Sequence, residues 1–166
     1  MNITGGSMLK SIKQGSITVA LLYITLCVFP FAYAQADSCE NAIKSINAKL
    51  YPKIDTLELA EIVRNLNSTN NVNLPPKFLT KTQAQAKGWR PGNDLWSMSA
   101  LKGKSIGGDQ FKNIEGKLPK NKTWREADLD YKGGHRGSKR IVFSKDGSRY
   151  ITVDHYQSFV KLPLCQ

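Results

Sequence analysis

Glu126, His155, Lys81, Arg136 and Arg140 are the residues whose chemistry combines most readily. A carboxylate and an imidazole can take up and release a proton near neutral pH, and clustered cations can hold an anion between them. Metal-free cleavage of RNA asks for that set. RNA carries its own nucleophile, the 2′-hydroxyl beside each phosphate. An enzyme must deprotonate that hydroxyl, protonate the departing 5′-oxygen, and hold the phosphate while its charge redistributes. Singly, each residue is a weak signal: a lone glutamate on a strand is ordinarily solvated, and either histidine, His135 or His155, could be a plain surface residue. There are only two histidines and no ligand-like cluster, so no metal site and no cofactor are expected. Gly107-Gly108 and Gly133-Gly134 read as turns, and no phosphate-loop pattern is present.

These residues need elements to position them. Glu126 falls within Trp124 to Tyr131, the first of four short runs rich in β-branched and aromatic residues; the others are Lys139 to Phe143, Tyr150 to Val153 and Ser158 to Leu162. Asp146-Gly147 between two such runs signals a hairpin, and His155 lies in the turn Asp154 to Gln157. Ahead of the strands come helices. Asp55 or Thr56 can cap a helix that carries Leu57, Leu59, Ala60, Ile62, Val63 and Leu66 on one broad face, ended by the asparagine-rich stretch Asn65 to Asn73. Leu74-Pro75-Pro76 is an extended link, Thr80 caps a short helix over Lys81 to Lys87, and Gly88 stops it. A third helical turn is expected near Asp94 to Ala100. Two to three helices followed by an antiparallel sheet is an α+β pattern, with the helices on one face of the sheet and a polar working surface on the other. The remaining aromatics, Trp89, Trp96, Trp124, Phe143 and Phe159, read as core.

The 166 residues carry 24 basic and 13 acidic side chains, a net charge of +11 that favours a polyanion: nucleic acid, an acidic protein or an anionic membrane surface. Residues 1–34 read as a secretory signal. Lys10 and Lys13 form its positive region, Ile17 to Phe31 is almost wholly apolar, and Ala32-Tyr33-Ala34 is a cleavage site. The other reading, an uncleaved anchor helix, is opposed by Pro30 and by a run short of the ~20 residues that span a bilayer. Processing near Ala34 leaves one domain, 35–166, with 22 basic and 13 acidic residues, hence +9, no membrane anchor, and a secreted or periplasmic location. Cys27 leaves with the leader. Cys39 and Cys165 remain, with one intramolecular pairing open to them, the alternatives being two free thiols or an intermolecular bond.

Five segments in order resemble the barnase family of secreted bacterial ribonucleases: Lys81 to Trp89, Gly103 to Asp109, Asn113 to Pro119, Thr123 to Asp128 and Asp154 to Gln157. The resemblance is close over Leu74 to Lys161 and loose over the helix at 55–66. It implies a microbial ribonuclease fold and cleavage of single-stranded RNA after guanine, through a 2′,3′-cyclic phosphate and then a 3′-phosphate. It implies Glu126 as general base, His155 as general acid, Lys81, Arg136 and Arg140 as phosphate-binding cations, and Asp128 as a buried carboxylate organising the arginines. Lys81 at a helix start would also aim backbone N–H groups at an anion. The loop Phe111 to Gly116 would read the base, with Phe111, Asn113, Glu115 and Tyr156 as binding residues. A carboxylate at 115 suits guanine, since adenine lacks the paired N1–H and amine donors. Read from residues alone, Asn113 to Gly116 is a surface loop. Ile114 and His135 depart from the family, where an arginine and a phenylalanine stand; a histidine at 135 could alter base stacking or the pH profile. A monomer is expected, with an acidic, barstar-like cytoplasmic inhibitor as a possible partner. The competing reading is a non-catalytic, secreted basic RNA-binding protein on the same scaffold.

Overall fold

The computed structural model describes residues 1–2 and 38–166. The leader read at 1–34 and its cleavage point therefore lie outside the described residues, Met1 and Asn2 aside. Every described helix and strand lies within the unit Ala34–Gln166.

Three α-helices precede most of the sheet. Helix α1, Cys39–Lys49, starts where the Ser38 side chain accepts from the Asn41 N–H. It lies ahead of the first helix expected from the sequence. Helix α2, Thr56–Ser68, is capped by Asp55, which accepts from the Leu57 and Glu58 N–H groups. The chain then turns through Asn70 and Asn71, both left-handed at φ 50 and 60, a conformation asparagine tolerates. Leu57, assigned to the apolar face from its spacing, is instead exposed; Leu59, Ala60, Ile62, Val63 and Leu66 are buried. Helix α3 is Lys81–Ala86. The turn expected near Asp94 to Ala100 is two 3-10 turns, Leu95–Ser97 and Ser99–Leu101.

Six strands follow sequence order across one sheet: β1 Phe78–Leu79, β2 Ser105–Phe111, β3 Trp124–Asp128, β4 Arg140–Phe143, β5 Arg149–Thr152 and β6 Val160–Leu162. β1 pairs parallel with β2 and every other neighbour is antiparallel. The architecture is α+β, as the sequence indicates. Strand β3 stops three residues short of Tyr131. Asp130 there adopts φ 59, and its N–H donates to Glu58 Oε2 of α2 at 2.7 Å, so the strand end is tied to the helix layer instead of extending the ladder.

Side-chain alternation along the strands separates core from site. Ala127, Ile141, Phe143 and Ile151 join the cluster built with α1 and α2. The alternate positions Trp124 and Val142 belong to a separate cluster with Leu118. Glu126 and Asp128 share their parity, as does Arg140, which stands directly across from Asp128. Burying each large aliphatic side chain is worth ~1.5–3 kcal/mol, so the helix-side cluster dominates stability and fixes which face the polar residues occupy. Of the aromatics read as core, Trp89, Trp124 and Phe143 are buried, while Trp96 and Phe159 are half-buried.

Gly107-Gly108 is not a turn. Both residues lie in β2, where the register shifts between Gly107 and Asp109 in a bulge. A Cβ on Gly107 would stand 2.7 Å from Phe78 Cδ1, 2.8 Å from Ala127 Cβ and 3.0 Å from Leu74 Cδ1. Glycine is there because backbone and side chains approach that closely. Gly107→Ala is expected to destabilise by ~1–3 kcal/mol, read as a lower urea midpoint at unchanged slope; an unshifted midpoint would mean that Phe78 and Leu74 yield freely.

A disulfide joins Cys39, the first residue of α1, to Cys165 beyond β6, across 126 positions of sequence. Asn67 of α2 reinforces the junction by donating to the Cys165 carbonyl at 3.0 Å.

Candidate active site

The floor of the polar face is Asp128, 2% exposed. It receives the fork of Arg136, Nε at 2.6 Å and Nη2 at 2.7 Å. Arg140 Nε lies 2.8 Å from Asp128 Oδ1, an ion pair by distance whose geometry is too oblique for a hydrogen bond. Its Nη1 donates to the Gly137 and Lys139 carbonyls at 2.8 and 2.7 Å, so Arg140 is held from both ends. Burial opposes the Arg136 charge, but the Asp128 hydrogen bonds outweigh it and hold the guanidinium pKa above its ordinary value. One carboxylate against two guanidinium groups leaves a fixed positive floor.

Above it stands Glu126, 7% exposed. Lys81 Nζ lies 3.2 Å from one carboxylate oxygen, and the Tyr156 hydroxyl donates to the other at 2.6 Å. Burial first, and the bond to Glu126 second, raise the Tyr156 hydroxyl well above its ordinary range, so it stays protonated and keeps donating. Lys81 arrives through α3, whose Thr80 and Gln83 form a reciprocal cap. The Lys81 N–H is taken by Asp109 Oδ2 at 2.9 Å. The expectation that this helix start aims its amides at an anion is thus not met at Lys81. What Lys81 offers is its half-exposed ammonium.

His155 and Tyr156 sit on one turn with φ 58 and 71, two consecutive non-glycine residues in the left-handed region. Such conformations cost of order 1–3 kcal/mol each and persist only where neighbours enforce them. Here Asp154 enforces them. It accepts from Thr152 Oγ1 at 2.8 Å and from the Ser158 N–H at 3.0 Å, while Thr152 Oγ1 receives the Tyr156 N–H and Ser138 O the His155 N–H. Burial pushes the Asp154 carboxyl up, yet the Ser158 and Thr152 bonds prevail and bring it down to about 2. Its folded-state pKa being depressed, the turn's bonds are intact above the ordinary carboxylate range and are lost as pH falls through about 2. His155 is exposed, and its ring lies 5.0 Å from that of Tyr156. Tyr156 stacks on Phe111 at 5.1 Å, with Phe159 6.0 Å from Phe111.

The loop after β2 closes the other side. Asn113, at φ 48, donates to the Leu118 carbonyl at 2.7 Å and accepts the Leu118 N–H at 3.0 Å. Its side chain therefore pins the loop instead of projecting toward a ligand. Glu115 is exposed and paired with Lys117 at 2.6 Å; Lys117 also donates to the Tyr156 carbonyl at 3.1 Å. Ile114 stands 86% exposed at the crest.

These parts surround one cleft of about 490 Å³. Lys81, Glu126, Arg136, Arg140 and His155 line it from the sheet side. Phe111, Asn113, Glu115 and Tyr156 line it from the loop side. His135 does not. It borders a separate depression with Asp94 and Ser97, so its imidazole is removed from the cleft that Arg136 enters.

A family model described as ribonuclease matches residues 63–163. A ribonuclease of Heyndrickxia coagulans is 46% identical over 91 residues, 54% of this chain and 83% of that protein. The chain belongs to the ribonuclease family. Ribonucleases of Bacillus intermedius and Bacillus pumilus match at the same identity over 91 residues, which are 56% of the length of each. The protein is a barnase-type bacterial ribonuclease, an RNA-cleaving enzyme, and the matched span holds every residue of the cleft described above.

In this ribonuclease several residues at the cleft escape sequence reasoning. Phe159, read as core, lines the cleft. Lys117 holds Glu115, Asp109 closes the start of α3, and Thr152 and Asp154 shape the histidine turn. Among the described residues no group of three or more His, Cys, Asp or Glu is placed to hold a metal ion, and no helix is long and apolar enough to cross a membrane.

Proposed function

We propose that this ribonuclease is a secreted, monomeric endonuclease that cuts single-stranded RNA 3′ of guanine without a metal. The observation that carries the reading is that a half-caged carboxylate, Glu126, and an exposed imidazole, His155, open onto one cleft with Lys81, Arg136 and Arg140. Glu126 takes the 2′-hydroxyl proton. A carboxylate has about four acceptor sites, so the Lys81 and Tyr156 contacts leave room for it. The 2′-oxygen attacks phosphorus, and the 5′-oxygen leaves with the His155 proton, giving a 2′,3′-cyclic phosphate. In the hydrolytic step the roles reverse: His155 takes a proton from water and Glu126 returns one to the 2′-oxygen. The charge that builds on the phosphoryl oxygens is met by a cationic floor already held in position, so no reorganisation is needed as it forms. Asp128 supports this by fixing both arginines.

The base rests between the loop and Tyr156. Glu115 accepts from guanine N1–H and its amine, sharing its carboxylate with Lys117, while Phe111 backs the Tyr156 ring and Asn113 keeps the loop in shape. Residues 1–34 direct export, and 35–166 form the single working domain. An acidic cytoplasmic inhibitor is the partner that a basic cleft of this kind would attract before export.

Mapping the ends of fragments from a defined RNA tests the reading. Expected are 3′-terminal guanosines bearing cyclic phosphate early and 3′-phosphate late, at a rate unchanged by EDTA, with single-stranded DNA bound but uncut for want of a 2′-hydroxyl. RNA bound with ordinary salt dependence and no cyclic product would favour a binding protein on this scaffold.

A further inference from the structure

We propose that the outer flank of the loop 112–117 is a second subsite, which holds the phosphodiester backbone of nucleotides on the 5′ side of the one being cleaved; the inference rests on the reading of the cleft just given. A groove of about 380 Å³ lies across the loop from the cleft. The two share Gln110, Phe111, Lys112, Asn113 and Ile114, so the end of β2 and the loop crest form the ridge between them, while Lys120 and Lys122 border the groove and not the cleft. The groove's charged lining is Lys112, Lys120 and Lys122, with no carboxylate among its lining residues.

The three lysines are held differently. Lys122 is pinned by Asp146 at 2.5 Å and Ser148 at 2.6 Å, and lies 5.9 Å from the Trp124 ring centre. Lys120 lies along the loop: a Cβ on Gly116 would come within 2.8 Å of its Cε and 3.5 Å of its Nζ. Gly116, at φ 66, thus gives the stem room to cross the loop. Neither Lys112 nor Lys120 has a carboxylate partner among the described residues. Like charges gathered without a counter-charge repel one another, and a polyanion relieves that repulsion by displacing its own counterions.

The direction follows from the chemistry. The loop holds the base of the nucleotide whose 2′-hydroxyl reacts, and the scissile phosphate on its 3′ side lies at Glu126 and His155. Chain leaving the loop on the far side is therefore chain 5′ to that nucleotide. No proton donor or acceptor of the reaction lies in the groove, so the subsite contributes to substrate binding and not to the chemical step.

The test is the variant Lys120→Gln in the processed protein, since Lys120 borders the groove and not the cleft. Two substrates are compared: a guanylyl dinucleotide with a single phosphodiester, and an oligoribonucleotide with one guanosine extended on its 5′ side. Expected are dinucleotide kcat and KM unchanged to within about twofold, and a raised KM at unchanged kcat for the extended substrate. Its plot of log kcat/KM against log salt should flatten by about 0.7, the value for one single-strand phosphate no longer neutralised. An unchanged slope, an equal loss on both substrates, or a loss only on 3′-extended substrates overturns the proposal. Binding of an uncut single-stranded DNA of matched length reports on the groove independently. If the parent protein fails to cut the dinucleotide, the catalytic reading fails, and the groove still stands or falls on whether Lys120→Gln weakens DNA binding.

Discussion

Glu126→Gln and His155→Asn should each lower kcat on a guanylyl dinucleotide by roughly 10²–10⁴, the usual worth of a positioned proton acceptor or donor. Both variants are chosen to spare the fold. Glutamine keeps the shape of Glu126 and an oxygen for the Tyr156 hydroxyl, which donates at 2.6 Å, while removing the proton acceptor. Asparagine tolerates the left-handed backbone at 155, φ 58, better than most residues, and the Asp154 bonds that shape the turn are untouched. Unfolding midpoints close to the parent's should accompany the loss. The two groups serve one reaction coordinate, so the double variant should cost far less than the product of the singles. Either single variant working at more than about a tenth of the parent rate would remove that residue from the proton transfers.

Loss of the Asp128 carboxylate is the largest stability effect expected. Asp128→Ala leaves Arg136 and Arg140 without their shared counter-charge, and Arg140 is 3% exposed. Breaking a buried pair by removing one partner typically costs about 3–5 kcal/mol, because a charge stays behind in a poorly hydrated place. The urea midpoint should fall by that amount divided by the slope, and cleavage should fall with it as the cations lose their positions. Adding Arg140→Met to the Asp128→Ala chain should recover part of the stability, since the stranded charge is removed. A cost below about 1 kcal/mol for Asp128→Ala would mean that the guanidinium groups reach water on their own, and that the floor of the cleft is not held by this carboxylate.

Elements announced by local chemistry are legible in the sequence. Asp55 and Thr80 mark the starts of α2 and α3 because a short polar side chain there satisfies the first N–H groups, and the pattern needs no tertiary knowledge. Helix α1 is not legible in this way. Its buried residues Cys39, Ala42, Ile43 and Ile46 keep helical spacing, but a cysteine and an alanine carry little of that signal, and they matter only because α2, β6 and the disulfide cover them. Strand β2 is obscured by Gly107-Gly108: glycine signals a turn locally, whereas here it serves contact with Phe78, Leu74 and Ala127, residues far away in sequence. β1 has two residues, too few to show a period.

At the site, the residue types and the family resemblance both point to Glu126, His155 and the three cations, and these line one cleft. The supporting bonds are less legible. The pairing of Lys117 with Glu115, the inward turn of Asn113, the Asp109 cap on Lys81 and the displacement of His135 depend on loop conformation and strand register, which residue type does not specify.

The link between Cys39 and Cys165 has a consequence for how the chain responds to proteolysis. Both ends of the folded unit meet at one covalent clasp, with Cα atoms 4.8 Å apart, so the backbone between them is a closed ring. A single peptide-bond cut in an exposed turn, such as Gly133-Gly134 or Asp146-Gly147, opens that ring without releasing a fragment. The severed pieces stay tethered and keep the core on which they pack. Two cuts, or one cut with a reductant present, are needed before any part can diffuse away.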